Sequence, residues 1–367
     1  MRSPRTGLRL RWAGLALVLV ILILGAAYFY ESGRRKELFP GEDTGRGGGE
    51  PGRVWHVAAT AETGDGSSDR PFGEIQRALA VAQPGDTVTV AAGKYTGPLR
   101  SVRSGRPDAP ITIASARGAV LDGRNKVNNL VELTHDHLVV RGFELTRADK
   151  LIVLIGAADV HILGNRLHDA KGECVHLRYH ASDNEIAHNR ITRCGRTGFK
   201  LSKDSKNGEG IYIGTAPEQL DYKNPTSEPD TSNRNWVHDN DIAVPAECVD
   251  IKEDAVGNVV EHNRCTAGKD PDGAGFSSRG IATVFIDNFS TGHAGDGIRL
   301  GGDKKDDGVR NVVRGNRLMD NDGYGLSIQR LPQGEICGNH MKGNNLGSVH
   351  IDAVNGKGEP DPARPCP

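Results

Sequence analysis

From Leu138 onward the chain alternates apolar and polar residues in runs too short for strands that stand alone. The runs recur with a period set by seven asparagines: Asn165, Asn189, Asn240, Asn263, Asn288, Asn316 and Asn339. Most neighbours lie 23 to 28 residues apart; the gap from Asn189 to Asn240 is about twice that. Three positions before each Asn the residue is always apolar: Ile162, Ile186, Val237, Val260, Phe285, Val313 and Ile336. Strands repeated at this period cannot bury an apolar face alone, and stacking the repeats buries it. The pattern therefore predicts a solenoid of short parallel strands. The asparagines stack at one corner as a structural ladder, because a bend leaves backbone groups that need partners. Leu138–Leu145 is an earlier coil in which Phe143 replaces the Asn. Residues 71–82 have Phe72, Ile75, Leu79 and Ala82 on one helical face, which predicts a helix capping the exposed sheet edge at the N-terminal end. Strands over 87–90 and 111–114 follow it.

The alternation also assigns directions. Val175, Phe199, Ile211, Val249, Phe276, Ile298, Leu326 and Val349 point inward, as do the residues two places later. Between them an outward column runs His176, Lys200, Tyr212, Asp250, Ser277, Arg299, Ser327, His350. A second outward column runs Arg178, Ser202, Gly214, Lys252, Arg279, Gly301, Gln329, Asp352. A third, just before the strand, holds Glu173, Glu209, Glu247 and Asp296. Lys252 and Arg279 should thus be neighbours on adjacent strands, about 4.8 Å apart. Adjacent like charges are disfavoured, so acids or an acidic ligand must compensate. Net charge is only −1, with 46 basic and 47 acidic residues, which gives no bulk attraction to nucleic acid. Against that balance, a face holding Arg178, Lys252, Arg279 and Arg299 with His176 and Tyr212 suits an extended anionic substrate. Glu209, Glu247 and Asp250 are the candidate ligands for a calcium ion, which takes several oxygens.

The N-terminus adds an address. Arg2, Arg5, Arg9 and Arg11 precede an uncharged run from Trp12 to Tyr30. That is long enough to span a bilayer, and the arginines favour an N-inside orientation. Residues 1–11 are read as a cytoplasmic segment, 12–30 as a membrane anchor or a cleaved signal peptide, and 31–52 as a flexible linker. Residues 53–356 are the solenoid and 357–367 a tail. Both readings of 12–30 place the domain outside the cytoplasm, and a monomer is expected. Of the six cysteines, Cys265 lies in an apolar column and is expected to be buried. Cys174 and Cys248 hold matching places too far apart to bond each other, and Cys337 with Cys366 can pin the tail. Asn288-Phe289-Ser290 matches a glycosylation acceptor but lies in the ladder, and Lys304–Gly308 is read as a solvated turn.

The segment GDGSSDRPFGEIQRALAVAQPGDTVTVAAGKY resembles the opening of right-handed parallel β-helix proteins of the pectin-lyase-like superfamily. The resemblance implies an all-β fold with a capping helix, here preceded by one transmembrane helix. GEGIYIGT, AECVDIKED and SSRGIATVFIDNFSTGHAGDGIRLGG resemble successive coils of β-helical alginate and chondroitin lyases (polysaccharide lyase family 6-like). That resemblance implies β-elimination on uronic-acid polysaccharide, with Lys252 as base, Arg279 as acid and Glu247 as a calcium ligand. The family's usual histidine is Ser278 here, and a second family acid is Pro245. Two other readings share the scaffold. One is a glycoside hydrolase, for which GDGIRLGG carries Asp296 where polygalacturonases have a histidine. The other is a non-catalytic module binding cell-envelope glycans.

Overall fold

The computed structural model describes residues 52–61, 63–115, 118–201, 206–352 and 364–366. The expected anchor and linker at 12–30 and 31–52 lie almost wholly outside them. Among the described residues no helix is long and apolar enough to cross a membrane.

Each coil contributes strands to three parallel sheets that run the length of the stack, one of eleven strands and two of ten. Every named pairing is parallel, and each joins a strand to its counterpart one coil away, as between Val175–Arg178 and Ile211–Ile213. This is a parallel β-helix. The inward columns are its core: Val175, Leu177, Ile211, Ile213, Val249, Ile251, Phe276, Ile298, Leu300, Leu326 and Ile328 are completely buried. The capping helix spans Ile75–Val81 and buries Ile75, Ala78 and Leu79. It starts later than predicted because Phe72 is used in a bridge to Val57 instead. The strands Thr87–Val90 and Ile111–Ser115 form as expected.

The ladder is present. From Asn165 to Asn316 each backbone N–H donates to the Oδ1 of the next asparagine at 2.9–3.0 Å, ending at Asn339. Phe143 N–H donates to Asn165 Oδ1 at 3.0 Å, which completes the earlier coil. Asn288 is fully buried and its amide donates to the Val260 carbonyl, so the glycosylation motif is occupied by structure. A second ladder, Asn184 to Asn235 to Asn258, holds another corner, and Asn321 to Asn344 a third.

One coil departs from prediction. Phe199–Leu201 is not a strand of the site sheet: Phe199 makes only an antiparallel bridge to Lys206, and Leu201 is 67% exposed. Lys200 therefore leaves the outward column, and Ser202 lies outside the described residues. Ile211–Ile213 pairs directly with Val175–Leu177 instead. The double-length gap is thus one coil with two insertions, before and after this strand. Residues 195–201 carry a locally plausible alternation, but three glycines (Gly195, Gly198 and Gly208) let the chain loop out where a strand would need side chains to pack.

The cysteines form three disulfides: Cys174–Cys194, Cys248–Cys265 and Cys337–Cys366. The last is the expected tail clip. Cys174 and Cys248 do not bond each other; each is joined to a cysteine stacked on the following coil, so the buried Cys265 is bonded rather than free.

Candidate functional site

The site sits on one ten-stranded sheet. Its register places His176, Tyr212, Asp250, Ser277, Arg299, Ser327 and His350 opposite one another in sequence. Backbone bonds carry the second column on: Gly214, Lys252, Arg279 and Gly301 N–H groups donate to Leu177, Ile213, Ile251 and Ser278 carbonyls at 2.8–3.0 Å. Lys252 and Arg279 are therefore neighbours on consecutive strands. Parallel pairing also aligns Lys150 with Glu173, Glu209 and Glu247, then Ala274 and Asp296.

Lys252 lies over the Tyr212 ring, its Nζ 4.8 Å from the centroid, and pairs with Asp250 Oδ2 at 2.7 Å. Burial opposes its charge, but Asp250 outweighs it and holds the ammonium above the ordinary lysine range. Arg279 pairs with the buried Glu253 at 3.0 Å and with Asp303 at 3.5 Å. Burial likewise opposes its charge, and the nearby carboxylates, Asp250 first, hold it. Arg299 reaches Glu247 Oε1 at 3.2 Å and donates to Ser277 Oγ and the Asp272 carbonyl. Ser278 points inward and shares a 2.8 Å bond with Thr283 Oγ1, so it offers nothing to the groove.

Glu209, Glu247 and Asp250 converge: each is buried, and one oxygen from each lies within 4.8 Å of the others. Asp250 Oδ1 is buried without a hydrogen-bond partner. Burial pushes the Glu209 carboxyl up to about 8, with Glu173 and Glu247 adding to it. Burial and Asp250 push Glu247 up as well. Asp250 goes the other way: burial opposes its charge, but Lys252 and Arg279 hold it below the usual range. Three converging carboxyl groups with an unpartnered oxygen are a donor set that fits a hard cation.

Toward the N-terminal end the same sheet is covered. The loop after Gly214 forms a short turn at Pro217–Gln219 and a helix at Leu220–Lys223. Its Lys223 Nζ lies 3.7 Å from Glu173 and 5.7 Å from the Tyr212 centroid, and its carbonyl accepts from Arg178. Asp230 anchors the loop's far end, accepting from Tyr179 and His180 N–H groups and from Thr215 and Ser232 hydroxyls. Beneath the loop Glu173 pairs with Lys150 at 3.0 Å, and its carboxyl, opposed by burial but favoured by Lys150 and His176, falls to about 2. His176 is completely buried; burial lowers it to about 3, its Nε2 meets the Gly214 carbonyl, and its Nδ1 makes no hydrogen bond but lies 3.9 Å from Glu173 Oε1. His176, Tyr212 and Arg178 thus stand in their predicted columns but under protein rather than facing solvent. Lys150, Lys223 and Glu253 were not anticipated. Lys150 was legible as the residue one coil before Glu173; Lys223 sits in an aperiodic loop, where spacing carries no signal.

Solved structures of similar shape include an alginate lyase from Paenibacillus sp. str. FPU-7, 25% identical, with a TM-score of 0.64 over 81% of this chain and 99% of that one. Pectate lyase Pel9A is 16% identical, with a TM-score of 0.59 over 85% and 80% of the two chains. The GH136 lacto-N-biosidase from Eubacterium ramulus is 12% identical, with a TM-score of 0.53 over 82% and 68%. The last two show the fold alone. No curated protein matches. The family model described as "Protein of unknown function (DUF1565)" matches residues 58–270, more than half of the chain, and the chain belongs to that family.

Proposed function

We propose that this β-helix is a carbohydrate-active protein that cleaves an acidic, uronic-acid polysaccharide by β-elimination. The observation that carries the reading is the placement of Lys252 and Arg279 on consecutive strands beside three converging buried carboxyl groups. The similar alginate lyase structure supports it.

In the proposed reaction the Lys252 amine takes the proton from the sugar carbon next to the carboxylate. The freed electron pair forms a carbon–carbon double bond, the glycosidic C–O bond breaks, and the departing oxygen takes a proton from the acid, Arg279. The fixed charge of Arg299 stabilises the negative charge that develops on the substrate carboxylate. Lys252 can act only as the neutral amine, and Asp250 is what keeps it charged, so that pair controls the base. Glu209, Glu247 and Asp250 would hold a calcium ion, which when bound supplies positive charge against the substrate carboxylate. The proposed setting is outside the cytoplasm, with residues 12–30 as the tether; the three disulfides support an oxidising compartment.

The test is incubation with polymannuronate, polyguluronate and polygalacturonate, followed by ultraviolet absorbance of the unsaturated uronate. Absorbance that rises with the parent chain and not with Lys252→Ala is the expected result. New reducing ends without absorbance would mean hydrolysis, and neither signal would mean no cleavage at all.

A further inference from the structure

The N-terminal end of the site sheet is covered by the loop at 215–232, which Glu173 and Arg178 hold through Lys223. Glu173, His176 and Tyr212 are 1%, 0% and 3% exposed, all beneath residues 215–232. Past the strand of Asp250 and Lys252, the Arg279 side chain is 27% exposed, and that of Arg299, one strand further, 16%. Beyond them Tyr324 and His350 stack at 4.7 Å, nearly parallel and both partly exposed, as a flat platform of the kind that packs against a sugar ring. In the column that runs from Arg178 through Gly214, Lys252 is the first side chain past the point where the loop leaves the sheet. Lys223 of the loop and Lys252 lie over the same Tyr212 ring, 5.7 and 4.8 Å from its centroid. Gly214, with φ at +86°, separates Arg178 from Lys252 in the column; a Cβ there would lie 3.3 Å from Lys252 Cβ and 3.9 Å from the Asp230 carbonyl oxygen. The loop therefore comes down on the same ring that the candidate base lies over. It is fixed there at both ends, by Arg178 and Glu173 on Lys223 and by the Tyr179 and His180 N–H groups on Asp230.

We propose that residues 215–232 form an end wall, so that a linear polyuronate enters this groove by one terminus and extends only toward the C-terminal coils. The inference rests on reading the face as a polyuronate site, and it adds how the polymer is held. Successive strands advance by about 4.8 Å, close to the length of one sugar residue, so the wall leaves space for little of the chain on its side of Lys252. Arg279, Arg299 and the Tyr324–His350 platform bind the remainder. Cleavage then releases short units of one size from a chain end instead of cutting at random.

Two measurements separate this proposal from the elimination reading. First, Lys252→Ala protein is titrated with size-fractionated polymannuronate, polyguluronate and polygalacturonate, and bound protein per sugar chain is counted by sedimentation. The expected count is one at every chain length. Replacing residues 217–229 by a short Gly-Ser linker should let the count grow with length. Several proteins per long chain with the loop intact, or no binding to any of the three polymers, overturns the end wall. The count on the intact loop decides this even if the shortened loop fails to fold. Second, the parent chain should yield one small unsaturated product from the earliest time points while solution viscosity stays high. An early fall in viscosity with a ladder of oligosaccharides overturns the wall and keeps the elimination. A count of one without unsaturated product does the reverse.

Discussion

Glu173 and Glu209 occupy the same column on adjacent strands, are both buried, and are treated in opposite ways. Glu173 is answered by two lysines of the protein, Lys150 at 3.0 Å and Lys223 at 3.7 Å, and its carboxyl falls to about 2. Among the described residues Glu209 accepts the Gly208 backbone N–H at 2.8 Å and has no ion pair; it sits among three other acids and, despite Lys252, rises to about 8. The difference teaches where to look for chemistry in a repeat protein. A stacked acid with its own cations is finished structure. A stacked acid without them holds either a proton or something the protein must acquire, and the proposed calcium belongs at the second.

The comparison can be broken in several ways. The largest expected effect is on catalysis: Lys252→Ala should lower the elimination rate by about 10²–10⁴, the usual contribution of general acid–base catalysis. Lys150→Ala, next to the finished cluster, should leave the elimination step in place and instead cost about 3–5 kcal/mol of stability in denaturant melts, because it strips one partner from a buried charge. If both variants lose only activity, or both only stability, the two clusters are not different in kind.

Calcium gives the next largest contrast. At an ion concentration 100 times the dissociation constant, unfolding should become about 2.7 kcal/mol harder. Glu209→Gln should abolish that gain, and Glu173→Gln should retain it, as read by the shift in melting temperature with and without chelator.

The pH dependence sharpens the same contrast. Glu209, raised when folded, contributes stability fully below its unfolded value near 4.5 and loses it as pH climbs toward about 8. Glu173, depressed when folded, contributes above 4.5 and loses that as pH falls toward about 2. In chelator, Glu209→Gln should therefore flatten the alkaline decline and Glu173→Gln the acid one. The smallest effect lies away from the face: Asn263→Ala, which leaves ladder groups unmet, should cost about 1–3 kcal/mol and leave calcium binding unchanged.

The sequence was most readable where the chain repeats. The asparagine corner, the inward columns and the order Tyr212, Asp250, Ser277, Arg299 follow from counting, because period and alternation are imposed by stacking itself. Counting failed at Phe199–Leu201, where a short alternation mimics a strand but glycines release the chain. It also could not show that His176 and Arg178 are covered, since the covering loop has no period. Nor could it show which acids have cations: Lys223 reaches Glu173 from 50 residues away in the chain. The disulfides Cys174–Cys194 and Cys248–Cys265 join positions that the column analysis treated separately.

The asparagine ladder has a consequence beyond holding the corner. Because identical amides meet at 2.9–3.0 Å in every coil from Asn165 to Asn339, successive coils are spaced evenly. The outward columns inherit that regularity and become a ruler, graduated in strand widths, along which side chains are the only markings that change. On the proposed function a polymer laid on it is measured before it is altered, and lengthening the ruler needs only another coil with its asparagine in place.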